Sequence, residues 1–175
     1  MSESGDGACA KAPEEMVAWV DENNIELAPM PRSRVRGEGL RHRSSYIFVF
    51  HSNGKVLLQR RSQAKDLYAG WYDACAGGVL RPGEAYADNA ARELAEELGV
   101  RGCRLERRDA FYFEHEKLRV FGESFVAMHD GPFAFTDDEV DWAGFVPVAG
   151  VMSGHFTPVT PDSVFALERL SLTGL

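Results

Sequence analysis

The sequence predicts an α/β fold, a mixed β-sheet packed between helices, on three observations. Runs rich in β-branched and aromatic residues dominate the chain. Two stretches carry helical periodicity with capping signals at their ends. No repeat is visible, and 175 residues suit one domain large enough to bury a core.

In chain order, "MSESGDGACAKAP" is small, polar and without the apolar stretch of a secretory signal, so residues 1–13 read as a disordered tail. Residues 14–175 read as a single domain. "EEMVAWVDENNIEL" opens the ordered part, with an apolar stretch and then a polar turn at Asp21–Asn24. "YIFVF" and "KVLLQRR" are strand-like, and the intervening "HSNG" carries the Asn-Gly hairpin signal. Gly70, Gly77, Gly78 and Gly83 punctuate a loop-rich middle. A helix is expected from about Ala85 to Leu98, ended by Gly99. Strands follow at "DAFYFEH", "RVFGESFVAM" and "VDWAGFVPV", the last after the acidic turn "TDDE", where Asp137 and Asp138 decorate the turn. "TPDSVFALERL" reads as a helix with Thr160 as N-cap and Pro161 in the first helical position.

Composition excludes several function classes. With 19 basic and 27 acidic residues, the net charge of -8 argues against nucleic acid or a membrane surface as partner. No apolar run approaches the roughly 18 residues of a membrane span. Cys9, Cys75 and Cys103 show neither C-x-x-C spacing nor an even count, so a reducing, cytoplasmic compartment is expected.

The stretch "GGVLRPGEAYADNAARELAEELGV" concentrates acid. On a helical wheel Ala87, Ala90, Ala91, Leu94 and Leu98 form an apolar stripe. Glu93, Glu96 and Glu97 share the neighbouring face, where they repel. A hard divalent cation such as Mg2+ or Mn2+ would relieve that repulsion. The helix alone favours a merely solvated acidic face, since such charge runs are common. The upstream spacing decides. The stretch fits G-x5-E-x7-R-E-U-x-E-E-x-G-U, where U is a bulky apolar residue, through Gly78, Glu84, Arg92, Glu93, Leu94, Glu96, Glu97, Gly99 and Val100. A chance match is on the order of one in ten million.

This pattern resembles the signature of the Nudix family, with no fixed position missing. The resemblance implies a Nudix-like α/β/α sandwich and a loop-helix-loop that binds a divalent metal and a diphosphate. It implies hydrolysis of a nucleoside diphosphate derivative or related pyrophosphate, a small-molecule partner. Glu93 and Glu97 would be the main metal ligands, with Glu96 assisting. Arg92 and Glu84 would brace the loop, and Gly77 and Gly78 would meet the substrate. A further acid, metal ligand or general base, is expected at Glu139, with Glu123 as the alternative.

Beyond the signature, "GKVLLQRRSQAKDLYAGWYDACAGG", "WVDENN" and "FTPVTPDS" resemble the branch near type I isopentenyl diphosphate isomerase. There an Arg and a Lys four residues later hold the diphosphate, and the matching positions are Arg61 and Lys65. A plain surface basic pair is the alternative. The isomerase's proton-transfer cysteine is matched by Ala76, so hydrolase is favoured over isomerase or a non-catalytic nucleotide-binding module. His42 matches a metal-ligand histidine of that branch, but its companion histidine is replaced by Gly78, so a structural role is expected. Trp71 and Tyr72 read as core or pocket wall, and Cys75 as a small buried residue. A homodimer is compatible with the sequence.

Overall fold

A computed structural model describes residues 14–65, 67–135 and 139–172. The tail reading for residues 1–13 and the turn reading for Asp137 and Asp138 lie outside them.

The sequence named only the start of ordered structure near residue 14, and that segment is a β-hairpin. β1 (Met16–Val20) pairs antiparallel with β2 (Glu26–Pro31). Asp21 forms the turn by accepting from the Asn23 and Ile25 amides at 2.9 and 2.8 Å. The short helix α1 (Arg32–Glu38) follows, its interior reached directly from Pro31. β3 (Arg41–Phe50) is the central strand. It runs parallel to β7 (Leu118–Met128) over its whole length and meets β1 at His42.

The expected β3–β4 hairpin is formed only at its root. β4 (Val56–Arg61) pairs with β3 at Phe50↔Val56 alone and then turns to β8 (Val140–Val146). Residues 72–79 fill the gap. β5 (Tyr72–Asp73) lies on β4, and Ala76 and Val79 bridge to Ile47 and Ser44 of β3. Gly77 permits this, because a Cβ there would stand 2.0 Å from the Ser45 carbonyl oxygen. β6 (Leu105–His115) completes the sheet against β7.

The two longer helices cover opposite faces. Alternation along β3 sorts its side chains. Tyr46, Phe48 and Phe50 pack with Ala166, Leu167 and Leu170 of α4 (Pro161–Leu172). Ile47 and Val49 pack with Ala90, Leu94 and Leu98 of α2 (Tyr86–Leu98). Burial on both faces explains the unbroken apolar run in β3. α3 (Val148–Met152), like α1, was not read in the sequence.

Candidate active site

α2 starts one residue after the expected position and ends at Gly99, whose φ of 69° is left-handed. Of the stripe expected from the sequence, Ala90, Leu94 and Leu98 are buried against β3, whereas Ala87 and Ala91 are exposed. The buried face is rotated to take in Asn89, Ala95 and Glu97, which turns Glu93 and Glu97 inward onto the Gly77–Gly78 segment. A Cβ on Gly78 would stand 2.5 Å from the Glu93 carboxyl carbon, so the glycine makes room for that carboxylate. Glu97 is 3% exposed. Its Oε2 accepts from the Gly77 amide at 3.3 Å and from Gln59 Nε2 at 3.4 Å.

These two carboxyls are costly to ionise where they stand. Burial pushes Glu97 up to about 8, aided by Glu93 and Asp73 and opposed by Lys65. Burial also raises Glu93, with Arg92 pulling the other way. Glu96 differs. Its side chain is 48% exposed and pairs with Arg92 at 2.9 Å and Arg81 at 3.9 Å. Among the described residues, no three His, Cys, Asp or Glu side chains stand together as a ready metal cage.

Arg92 is the hub of the loop. Its Nε and Nη2 donate to the two Glu84 oxygens at 2.9 and 3.2 Å, and its Nη1 lies 2.7 Å from Glu93 Oε1. Glu84 Oε2 also accepts from the Arg81 amide at 2.8 Å and Asn89 Nδ2 at 3.0 Å. Burial alone would raise the Glu84 pKa, but these donors outweigh it and hold the carboxyl below its ordinary value.

A cavity of about 90 Å³ borders the Gly77–Gly78 segment, with Arg32, Arg36, Arg61 and Lys65 also in its walls. Arg61 Nη1 donates to Asp73 at 3.2 Å, and its Nε and Nη2 donate to the Leu67 carbonyl at 3.2 Å. Lys65 is ion-paired with Glu139, so the expected acid outside α2 reaches the site through that lysine. The charge of Glu139 is felt at Glu93. Glu123 lies on β7 and forms a two-bond ion pair with Arg107 at 2.6 and 2.8 Å.

Several site residues escaped the sequence reading. Arg32 and Arg36 come from α1, and burial and the Arg32 and Arg61 charges lower Arg36 to about 10. Fully buried Asn89 ties α2 to the loop through the Val79 carbonyl at 3.1 Å and to β3 through Ser45. Gln59 holds Glu97 and the Cys75 carbonyl, and its buried Oε1 has no partner among the described residues. Asp162 is partly buried with Tyr46 Oη 3.0 Å away, and loss of solvent, then Asp73, lifts it to about 6.

The other residues singled out in the sequence have these surroundings. Buried His42 is pushed down to about 4 by burial, so it is neutral. The Cys75 thiol is buried and donates to Asp73 at 3.4 Å. Trp71 packs on Tyr68, and Tyr72 on Trp142 and Phe156.

Paired carboxyls from one helix, set over a glycine loop and facing guanidinium and ammonium groups, define a class of protein that handles phosphate anhydrides. Residues 40–164 match the NUDIX domain, and the chain belongs to the Nudix hydrolase family, whose enzymes hydrolyse pyrophosphate bonds. It is 39% identical over 155 residues to an uncharacterized Nudix hydrolase of Pseudomonas aeruginosa, covering 88% of this chain and 92% of that one. In structure it resembles DR0079 from Deinococcus radiodurans, with a TM-score of 0.76, 21% identity and coverage of 89% and 99%. The NUDIX domain of Shewanella oneidensis NrtR, solved with ADP ribose, gives a TM-score of 0.59, 19% identity and coverage of 82% and 100%. These two structural likenesses concern the fold. No helix of the described residues is long and apolar enough to cross a membrane.

Proposed function

We propose that the chain is a divalent-metal-dependent hydrolase that cleaves the diphosphate linkage of a nucleoside diphosphate derivative or a related small molecule in the cytoplasm. The observation that carries this reading is the pair of buried Glu97 and partly buried Glu93, both with raised carboxyl pKa values, beside a cationic cavity. Mg2+ commonly takes one or two carboxylates and completes its shell with water and substrate phosphates, so two glutamates fit it without a third. Glu96, nearer the surface, assists. When bound, the metal would neutralise the diphosphate and make a water nucleophilic.

The chain's own residues divide the remaining work. Arg61 and Lys65 hold the phosphates, Arg as a fork and Lys as a point charge. The Gly77 amide and Gln59 fix the Glu97 carboxylate. Arg92 and Glu84 keep the loop on the helix. Glu139, beside Lys65, is the candidate base for the attacking water. The isomerase alternative lacks its proton-transfer group. Ala76 stands at that position, and the neighbouring Cys75 thiol is turned onto Asp73. A purely binding module has no need of two glutamates turned inward.

The test is a screen for product release with Mg2+ or Mn2+, run beside Glu97→Gln. Nucleoside diphosphate sugars come first, because the Shewanella oneidensis neighbour was solved with ADP ribose. Dinucleoside polyphosphates, coenzyme A, dinucleotide cofactors and prenyl diphosphates follow. Turnover by the parent that collapses in the variant supports the proposal, and equal turnover by both contradicts it.

A further inference from the structure

Beside the cationic cavity lies a second, half-open space of about 670 Å³. Arg36, His42, Leu67, Tyr68 and Leu118 line both, so the two adjoin through a common wall. Their sizes differ in kind. The cationic cavity, at about 90 Å³, is several-fold smaller than the second space. The second space lies in the range of pockets that hold organic ligands.

Its chemistry also differs. Val35 of α1, Leu67 and Tyr68 of the loop after β4, and Leu118 of β7 make an apolar wall. The polar side chains of His115, Glu116 and Lys117 belong to the exposed β6–β7 turn at the rim. Lys117 Nζ donates to the Gly37 carbonyl at 3.3 Å and ties that turn to α1. Tyr68 has a φ of 53°, a conformation uncommon for a bulky residue, and its ring packs 4.9 Å from that of Trp71. Such local strain clusters at ligand sites.

His42 stands at the junction. Its Nδ1 lies 3.2 Å from the Leu40 carbonyl oxygen, which can only accept, so Nδ1 carries the ring hydrogen. The other nitrogen, Nε2, is left as an acceptor. Phosphate oxygens are acceptors too. The imidazole therefore gives a phosphate nothing, and favours its staying with Arg61 and Lys65.

We propose that the second chamber receives the organic group of the substrate, and that this group is predominantly apolar: an organic diphosphate recognised by shape along Val35, Leu67, Tyr68 and Leu118 rather than by hydrogen bonds to a base edge. The inference rests on the diphosphate reading above and narrows it.

The experiment measures binding separately from turnover. Methyl, butyl and hexyl methylenediphosphonate, which resist hydrolysis, are titrated calorimetrically with Mg2+ present, beside the α,β-methylene analogue of ADP. Affinity should rise at least about tenfold from methyl to hexyl, because each buried methylene adds a few-fold. The hexyl compound should also outbind the nucleotide analogue. Tyr68→Asn, which introduces a residue tolerant of the left-handed backbone, and Leu118→Ser should each lose most of the hexyl advantage. A flat series, a tighter nucleotide analogue, or an advantage that survives both substitutions overturns the proposal. Hydrolysis of hexyl diphosphate is followed in parallel. Length-dependent binding without turnover upholds the chamber and removes the hydrolase reading. Turnover with flat binding does the reverse.

Discussion

At Glu97 the protein holds a carboxyl that burial lifts from 4.5 to about 8. Between those values the folded, metal-free chain binds more protons than the unfolded one. The resulting stability is full below 4.5 and is lost as pH rises through about 8. Asp162, lifted to about 6, acts with the same sign at lower pH. His42, lowered from 6.5 to about 4, acts with the opposite sign between those values. The window from 6.5 to 8 therefore reports mainly Glu97. Melting curves in chelator should show stability falling there by at most ~1.4 kcal/mol per pH unit, and Glu97→Gln should flatten the fall. An unchanged slope in the variant would mean Glu97 is ionised at neutral pH without metal. Gly78→Ala tests the neighbouring contact. Its methyl group would stand 2.5 Å from the Glu93 carboxyl carbon, so Glu93 must move. The expected outcome is a large loss of turnover with a melting temperature near that of the parent.

At the scale of elements, α2 and its loop act as one unit held by Glu84. Removing that carboxylate in Glu84→Ala takes away the acceptors of Arg92 Nε and Nη2 and one of the two acceptors of Asn89 Nδ2, at a cost of about 1–3 kcal/mol read from denaturant unfolding. Leu94→Ala, at a position 2% exposed, should cost about 2–5 kcal/mol and separate packing from site bracing. This element was the most legible in the sequence. Its stripe, its acidic face and Gly99 are all local signals, and they place α2 within a residue. α1 was invisible because seven residues are too short to display a period. Arg32 and Arg36 therefore could not be placed beside Arg61 and Lys65, since the convergence of α1 and the loop after β4 is tertiary. The β3–β4 hairpin shows the opposite error. "HSNG" does make the turn, but residues 72–79 enter between the strands, and nothing local to the turn announces that.

At the scale of the whole molecule, the sheet carries helices on both faces and leaves the site where α2, the Gly77–Gly78 segment and α1 meet. The α/β class was readable from counts of strand-like and helix-like runs. The second chamber was not, because its walls come from α1, the loop after β4 and β7. Metal binding should link site and fold. Mg2+ is expected to raise the melting temperature more at pH 8 than at pH 6, because the ligands must first lose protons. Equal shifts at both values would separate the metal from the buried glutamates. The most direct test of the central claim is the rate of Mg2+-dependent product release by Glu97→Gln against the parent, on whichever diphosphate the screen finds. The predicted result is a loss of ~10²–10³ in rate in a variant that folds at least as well as the parent without metal. A parental rate in that variant would contradict the account and leave the glutamate pair a structural feature of α2.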